Sequence, residues 1–423
     1  MTLEQQIALL NDNVGSLTLE ARNLTDKVEN KLAEYESWKN TIHTKNPVIL
    51  QVGQSHKFKH PVEAALHIQD HQLSGDILFQ IEIEAGLYEF PYKENHQLLF
   101  SNFKNVNIIG KGENPSDVIF RYIGDNHCYM ILAEKNSSIE VKNISLQGNI
   151  PITTTFMKQI RTRALREGMA GGGLAHGIMA SYNSYANVEN CSFYRLWHAL
   201  YCDNNSAMNI NNVNGSELQG GAHARINSAI NINRSTFRGI VTGWQDASWA
   251  GLGAFHGSSI FSYGVTCLDF WVGLYSHWNS DFHFHRAFDY DNDGVTQINI
   301  RDGLIENCYH AIHVWHHSGG NVNNSLMRNM RSHAVFCGQS SNMHACNNVI
   351  VEDADIGFHA IHSSCIVAND SIAKNCRNAG YSSFHKSEIH ASGTKSRLSG
   401  NRINYSPGGS HALGNHDSYI YFS

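Results

Sequence analysis

The chain has 423 residues, room for one large β unit with an appendage. Only 16% of residues are charged, well below the roughly 25% of typical soluble proteins. A net charge of −6 excludes a nucleic-acid partner, which requires a basic face, and no apolar run approaches the ~18 residues of a membrane span.

The opening MTLEQQIALLNDN carries acids and amides where an export signal has a basic segment followed by an apolar one, so cytoplasmic synthesis without a signal peptide is expected. From Leu3 the apolar positions run Ile7, Leu10, Val14, Leu17, Ala21, Leu24 and Val28, then Lys31, Tyr35, Trp38 and Ile42. This heptad seam predicts an oligomerising coiled coil over residues 1–45, because a lone helix would leave the stripe wet. Asn46-Pro47 ends it, since the residue before proline is pushed out of helical geometry. The remainder, 46–423, reads as a single β domain.

HPVEAALHIQDHQLSGDILFQIEIEAGLYEF predicts a short helix, a strand, a glycine turn and a tyrosine; NVNIIGKGENPSDVIFRY adds another strand with glycine punctuation. This order, over residues 47–122, resembles the opening of pectin-lyase-like right-handed parallel β-helices. The resemblance implies an all-β, single-stranded solenoid whose first coil is capped by the helix.

A repeat is visible without that resemblance. Ser184, Ser206, Ser228, Ser248, Ser280, Ser318, Ser341, Ser364 and Ser387 recur, mostly at 22- or 23-residue spacing, as expected of stacked three-stranded coils. In the nine residues ending at each serine, the second is usually small and the third apolar. Period-two alternation then turns the third and fifth places inward and the fourth outward. The outward place holds Met179, Tyr201, His223, Gly243, Tyr275, His313, Phe336, His359 and Ser382; the sixth includes Asp203, Arg225, Gln245, His277 and Trp315. Such an uncharged aromatic and imidazole face suits stacking on sugar rings, or a contact between subunits. A second ladder is expected from Asn190, Asn307, Asn329 and Asn375, with Asp353 in register, and an interior cysteine column from Cys191, Cys308 and Cys376. The nine cysteines are expected as free thiols.

The long spacings around Ser248 and Ser280 predict insertions at 249–258 and 281–293, rising as walls of a groove, with a third at about 153–173. Within DFHFHRAFDYDNDG, Asp289, Asp291, Asp293 and Gly294 match the start of a calcium loop, so Ca2+ is a possible ligand, although no cofactor is required. His283 and His285 alternate with Phe282 and Phe284, as on a strand wet on one side. The segments Gly243-Trp244-Gln245-Asp246 and Asp281-Phe282-His283-Phe284 resemble those of pectin methylesterases. That resemblance implies Asp246 as acid/base, Asp281 as nucleophile and Gln245 as oxyanion donor, but the matching Arg-x-Trp is missing. Two carboxylates beside a groove also suit glycoside hydrolysis, which is favoured over elimination with His277 and His313 as proton carriers. Tyr201, Trp244, Gln245, Tyr275, Trp278, Trp315 and His316 are the candidate sugar-binding residues.

A heptad helix beginning MTLEQQIALL, followed by a β-helix with an aromatic outer face, resembles bacteriophage tail spikes and tail fibres. The resemblance implies a homotrimer held on a virion tail through its N-terminal helix, touching a tail or baseplate protein, and binding and possibly cleaving a bacterial surface polysaccharide. A non-catalytic fibre or adhesin and a free carbohydrate esterase or lyase are the alternatives.

Overall fold

A column of buried serines organises the molecule. In the computed structural model, the described residues are 47–70, 77–91, 97–124, 128–148, 175–240, 248–285, 303–393, 403–407 and 418–421, together with Glu20 and Lys27, both helical. Otherwise the expected coiled coil lies outside them. The first strand, Val48–Val52, is followed by helix α1, Pro61–Asp70, and then by coil after coil of short strands. Three parallel sheets result, of 14, 11 and 12 strands. We call them I, II and III in the order in which each coil visits them. This is the winding of a parallel β-helix, consistent with the expected fold class; α1 contacts the first coils. No helix among the described residues is long and apolar enough to cross a membrane.

At the corner between sheets III and I, each serine Oγ accepts the backbone N–H of the serine one coil earlier. Ser137 donates to Ser184 at 3.1 Å, Ser184 to Ser206 at 3.0 Å and Ser206 to Ser228 at 3.2 Å. The ladder continues through Ser258, Ser280, Ser318, Ser341, Ser364 and Ser387. The two residues before each of these serines have positive φ, as in Asn204 (53°) and Asn205 (59°). Asparagine tolerates that conformation, whereas Ile226 (50°) and Trp278 (55°) adopt it against their preference because the turn dictates it.

This ladder corrects the repeat. Its member is Ser258, not Ser248: Ser228 donates to Ser258 at 3.1 Å and Ser258 to Ser280 at 3.3 Å. Residues 249–258 are therefore no wall loop. Ser248–Phe255 is a strand of sheet III, in register with Gly220–Arg225 and Phe270–His277, and the coil's additional residues fall before it. Similarly Asp281–His285 is a strand of sheet I, and the added residues follow it. Phe282 and Phe284 are fully buried, while His283 stacks outward on Phe261, their centroids 4.8 Å apart. The insertion at 153–173 lies outside the described residues.

The expected asparagine ladder divides between two corners. Asn143, Asn190 and Asn212 link their amides where sheet I passes to II (2.9 and 3.1 Å). Asn307 and Asn329 do so where II passes to III (2.5 Å), and Asp353 and Asn375 occupy the same place with positive φ. Cys191 follows the first corner, Cys308 and Cys376 the second, so the three form no single column. All nine cysteines are free, and burial pushes the Cys191, Cys308 and Cys376 thiols up to about 12.

The small second place also has a cause. A Cβ at Gly221 would lie 2.2 Å from the Gly251 carbonyl oxygen, and one at Gly273 would lie 2.3 Å from Ile305 Cγ2. Large side chains of sheet II fill the corner there, so the second and third places both face inward. The backbone kink between them throws the first place outward.

Ser341→Ala removes the acceptor for the buried Ser318 amide and is expected to cost about 1–3 kcal/mol. Ser259→Ala, on the outer side of sheet I, should stay within about 0.5 kcal/mol of wild type. Equal urea-denaturation midpoints for the two variants would refute the structural role of the ladder.

Candidate functional site: the outer face of sheet III

Three rows of side chains run along the outside of sheet III. The first carries Tyr129, His176, His198, His310 and His333. The middle row is Met179, Tyr201, His223, Gly253, Tyr275, His313, Phe336, His359 and Ser382, one per coil in register. The third includes Asp203, Arg225, Phe255, His277 and Trp315, the last four in register. Gly253 and Phe255 thus replace Gly243 and Gln245 in the expected rows. Trp197, Trp249, Trp271 and Tyr309 stand just before the first row.

Parallel pairing brings like rings together. His310 stacks on His333 with centroids 5.2 Å apart and planes 5° from parallel, and His333 lies 4.6 Å from His359. Trp249 stacks on Phe255 at 5.3 Å, over Gly253, where a Cβ would collide with the Phe255 ring. Tyr275 packs between His277 (5.2 Å) and His313 (5.0 Å), and Trp315 stacks on Phe336 (5.4 Å).

Packing this dense desolvates the imidazoles and favours their neutral form. Burial holds His223, His277 and His359 down to about 4 and His310 and His313 to about 3; neighbouring imidazoles add to the effect on His277, His310 and His313. His333 is lowered to about 2 by burial and then by His359 and His310. His223 Nε2 bonds the Ala250 carbonyl at 3.1 Å, and His277 Nε2 bonds His316 Nδ1. The Nδ1 atoms of His277, His310, His313 and His359 are buried without a hydrogen-bond partner. At neutral pH the face is thus a tightly packed, largely buried ring array with almost no charge, from which Trp249, Tyr275, His313 and Trp315 are partly exposed.

The structure brings His277, His313, Tyr201, Tyr275 and Trp315 onto this one face. Trp278 and His316 sit instead at the adjoining corner, where the rings of His256, Trp278 and His316 stack nearly parallel (9° and 5°). Asp281 is around that corner on sheet I, exposed; its Oδ1 accepts the Phe282 N–H at 2.9 Å and its Oδ2 lies 3.5 Å from His283 Nε2. It therefore does not share a face with His277 and His313, and the expected groove between walls at 249–258 and 281–293 does not form from the two strands found there. Trp244, Gln245, Asp246, Asp289, Asp291 and Asp293 lie outside the described residues. Among the described residues no group of three or more His, Cys, Asp or Glu is arranged to hold a metal. Sequence alternation missed the first-row histidines, because the kink at the second place breaks the period. It missed Trp249 and Phe255 through the choice of Ser248; the double positive-φ turn HG before Ser258 was the available signal.

No protein-family model and no curated protein matches the chain. Solved structures do. The catalytic domain of a GH87 α-1,3-glucanase in complex with tetrasaccharides aligns over 88% of this chain and 68% of its own, with 11% identity and a TM-score of 0.47. A family 28 exopolygalacturonase of Yersinia enterocolitica aligns over 85% and 77%, with 10% identity and a TM-score of 0.37. Tailspike protein 3 of bacteriophage CBA120 aligns over 86% and 60%, with 8% identity and a TM-score of 0.33. Likenesses of this degree assign no chemistry, which resides in the site.

The lowered histidines make stability pH-dependent. In the unfolded chain each imidazole takes up a proton near pH 6.5, whereas the folded state resists until pH 2–4. Their contribution is complete above about pH 6.5 and is lost as pH falls through the window below it. Urea midpoints measured from pH 7 to 4.5 should fall steadily, with a slope of more than one proton; a flat profile would contradict the neutral buried cluster.

Proposed function

We propose that this chain is a virion tail spike or tail fibre protein that recognises a bacterial surface polysaccharide on the outer face of sheet III. The observation that carries the reading is the continuous set of Trp, Tyr, Phe and neutral His rings over successive coils, nearly free of charge. Rings offer stacking faces to the C–H sides of sugars, and on this face Trp249, Tyr275, His313 and Trp315 are among the partly exposed ones. The heptad seam of residues 1–45 supports self-association, while the trimer and the attachment to the tail or baseplate rest on the resemblance to tail spikes and tail fibres. Localisation on the virion follows from that attachment.

A non-catalytic fibre or adhesin is the second reading, favoured by one specific observation: Asp281 lies on sheet I, away from His277 and His313. Hydrolysis would rest on Asp246 and Asp281. Elimination would rest on His277 and His313, whose low basicity in the free protein works against proton abstraction. A calcium ion held by Asp289, Asp291 and Asp293 would be a staple for the segment after the sheet I strand.

Purified protein should bind capsule or lipopolysaccharide from some candidate host strains. Trp315→Ala and Tyr275→Ala should each weaken binding about tenfold, the loss of roughly 1.4 kcal/mol of stacking, while Phe261→Ala on sheet I leaves it unchanged. Equal weakening by all three would move the site off sheet III. Reducing ends released without ultraviolet absorbance from unsaturated sugars mean hydrolysis; absorbance means elimination; neither, on a polymer that is bound, means a receptor-binding fibre.

A further inference from the structure

The three outer rows of sheet III, from Tyr129 to Phe384, contain few fixed charges. Among the described residues these are Glu134, Asp203 and Arg225. Glu134 is paired with Lys135 of the adjoining turn, Nζ to Oε1 at 3.1 Å. The imidazoles of His223, His277, His310, His313, His333 and His359 contribute no charge at neutral pH, because burial keeps them in the neutral form. Arg225 is then the one cation of the three rows among the described residues.

Its guanidinium is underused. Five N–H donors are available on such a group; here Nη1 donates to the Tyr201 hydroxyl at 3.4 Å, a long bond, and among the described residues no carboxylate lies within ion-pair distance. Asp203, one coil earlier in the same row, is turned to its own backbone, its Oδ1 accepting the Asn204 N–H at 2.9 Å. Desolvation raises the Asp203 pKa and the guanidinium lowers it, so the two groups act on each other through space without an ion-pair contact. Arg225 is half-buried, held from one side by Tyr201 and in register with Phe255 on the next coil, with His277 and Trp315 beyond. A partly desolvated fork with free donors, at the end of a neutral ring row, is an anion site.

We propose that Arg225 recognises a carboxylate carried by the polysaccharide, so that the ligand of this face is an acidic polymer with uronic-acid or similarly carboxylated sugars. This rests on the reading of sheet III as the polysaccharide face. A polymer lying along the solenoid axis places one carboxylated sugar on Arg225 and its neighbours on the partly exposed rings of Tyr275 and Trp315.

The test uses capsule polysaccharides of candidate host strains, each before and after chemical reduction of its carboxyl groups to primary alcohols. Binding is measured for wild type, Arg225→Gln, Arg225→Lys and Trp315→Ala, with circular dichroism to verify folding. The expected result is that the bound polymer is carboxylated, that carboxyl reduction weakens wild-type binding at least tenfold, and that Arg225→Gln loses a similar factor but is then insensitive to reduction. Arg225→Lys should retain part of the affinity, since the charge remains without the planar fork. A tightly bound neutral polymer, or an Arg225→Gln variant as sensitive to carboxyl reduction as wild type, overturns the assignment of Arg225. If Trp315→Ala abolishes binding while reduction does nothing, the acidic ligand is refuted and the sheet III face stands; if neither Trp315→Ala nor Arg225→Gln changes binding, both fail.

Discussion

The ladder of backbone N–H to serine Oγ hydrogen bonds at the corner between sheets III and I is the constraint on which the other features depend. Each bond joins the same position of two successive coils, and each follows a pair of residues with positive φ. A slip of one residue in any coil would leave a buried amide unpaired and turn every side chain of that coil to the opposite side. Coils of different length are absorbed because the ladder counts corners and not residues: steps of 22, 30 and 38 make the same bond. Since each coil touches only its neighbours, stability is local and additive, and the register carries unchanged from Ser137 to Ser387.

Register in turn creates the chemistry of the outer face. When every coil offers its fourth place at the same point, rings stand one strand spacing apart, about 4.8 Å, close enough to stack and to exclude water. Histidine placed in such a row cannot keep its usual basicity: charging one imidazole means desolvating a cation beside another imidazole that resists the same charge. The face therefore becomes neutral as a consequence of the packing. Against that background a single guanidinium acquires weight that it would not have on an ordinary charged surface.

The winding, the inward third and fifth places, and the alternation of Phe282 and Phe284 with His283 were legible because they follow from period two and a repeat near 23 residues. Other features depend on corners, which periodicity does not describe. Ser248 and Ser258 are equally serine; only the second follows a His-Gly pair suited to the double turn. Asn190 and Asn307 look equivalent in sequence, yet one ends a strand of sheet I and the other a strand of sheet II. The histidines of the first row were hidden by a kink where two consecutive small or apolar residues face inward. A motif such as Asp-Phe-His-Phe fixes the order of residues and not the sheet on which they lie, so Asp281 was read beside residues that the corner separates from it.

That separation bears on what the face can do. Acid/base chemistry on a bound sugar needs a group whose proton affinity lies near the working pH and which reaches the reacting atoms. The imidazoles of His223, His277, His310, His313, His333 and His359 are too weakly basic, and Asp281 faces away from them. Asp203 stands in the third row one coil before Arg225, where desolvation raises its pKa while the Asn204 N–H and then the guanidinium lower it, and its Oδ1 is already engaged by that N–H. The described part of the face therefore brings together stacked rings, one guanidinium and one desolvated carboxyl, and keeps them apart from the corner that carries Asp281.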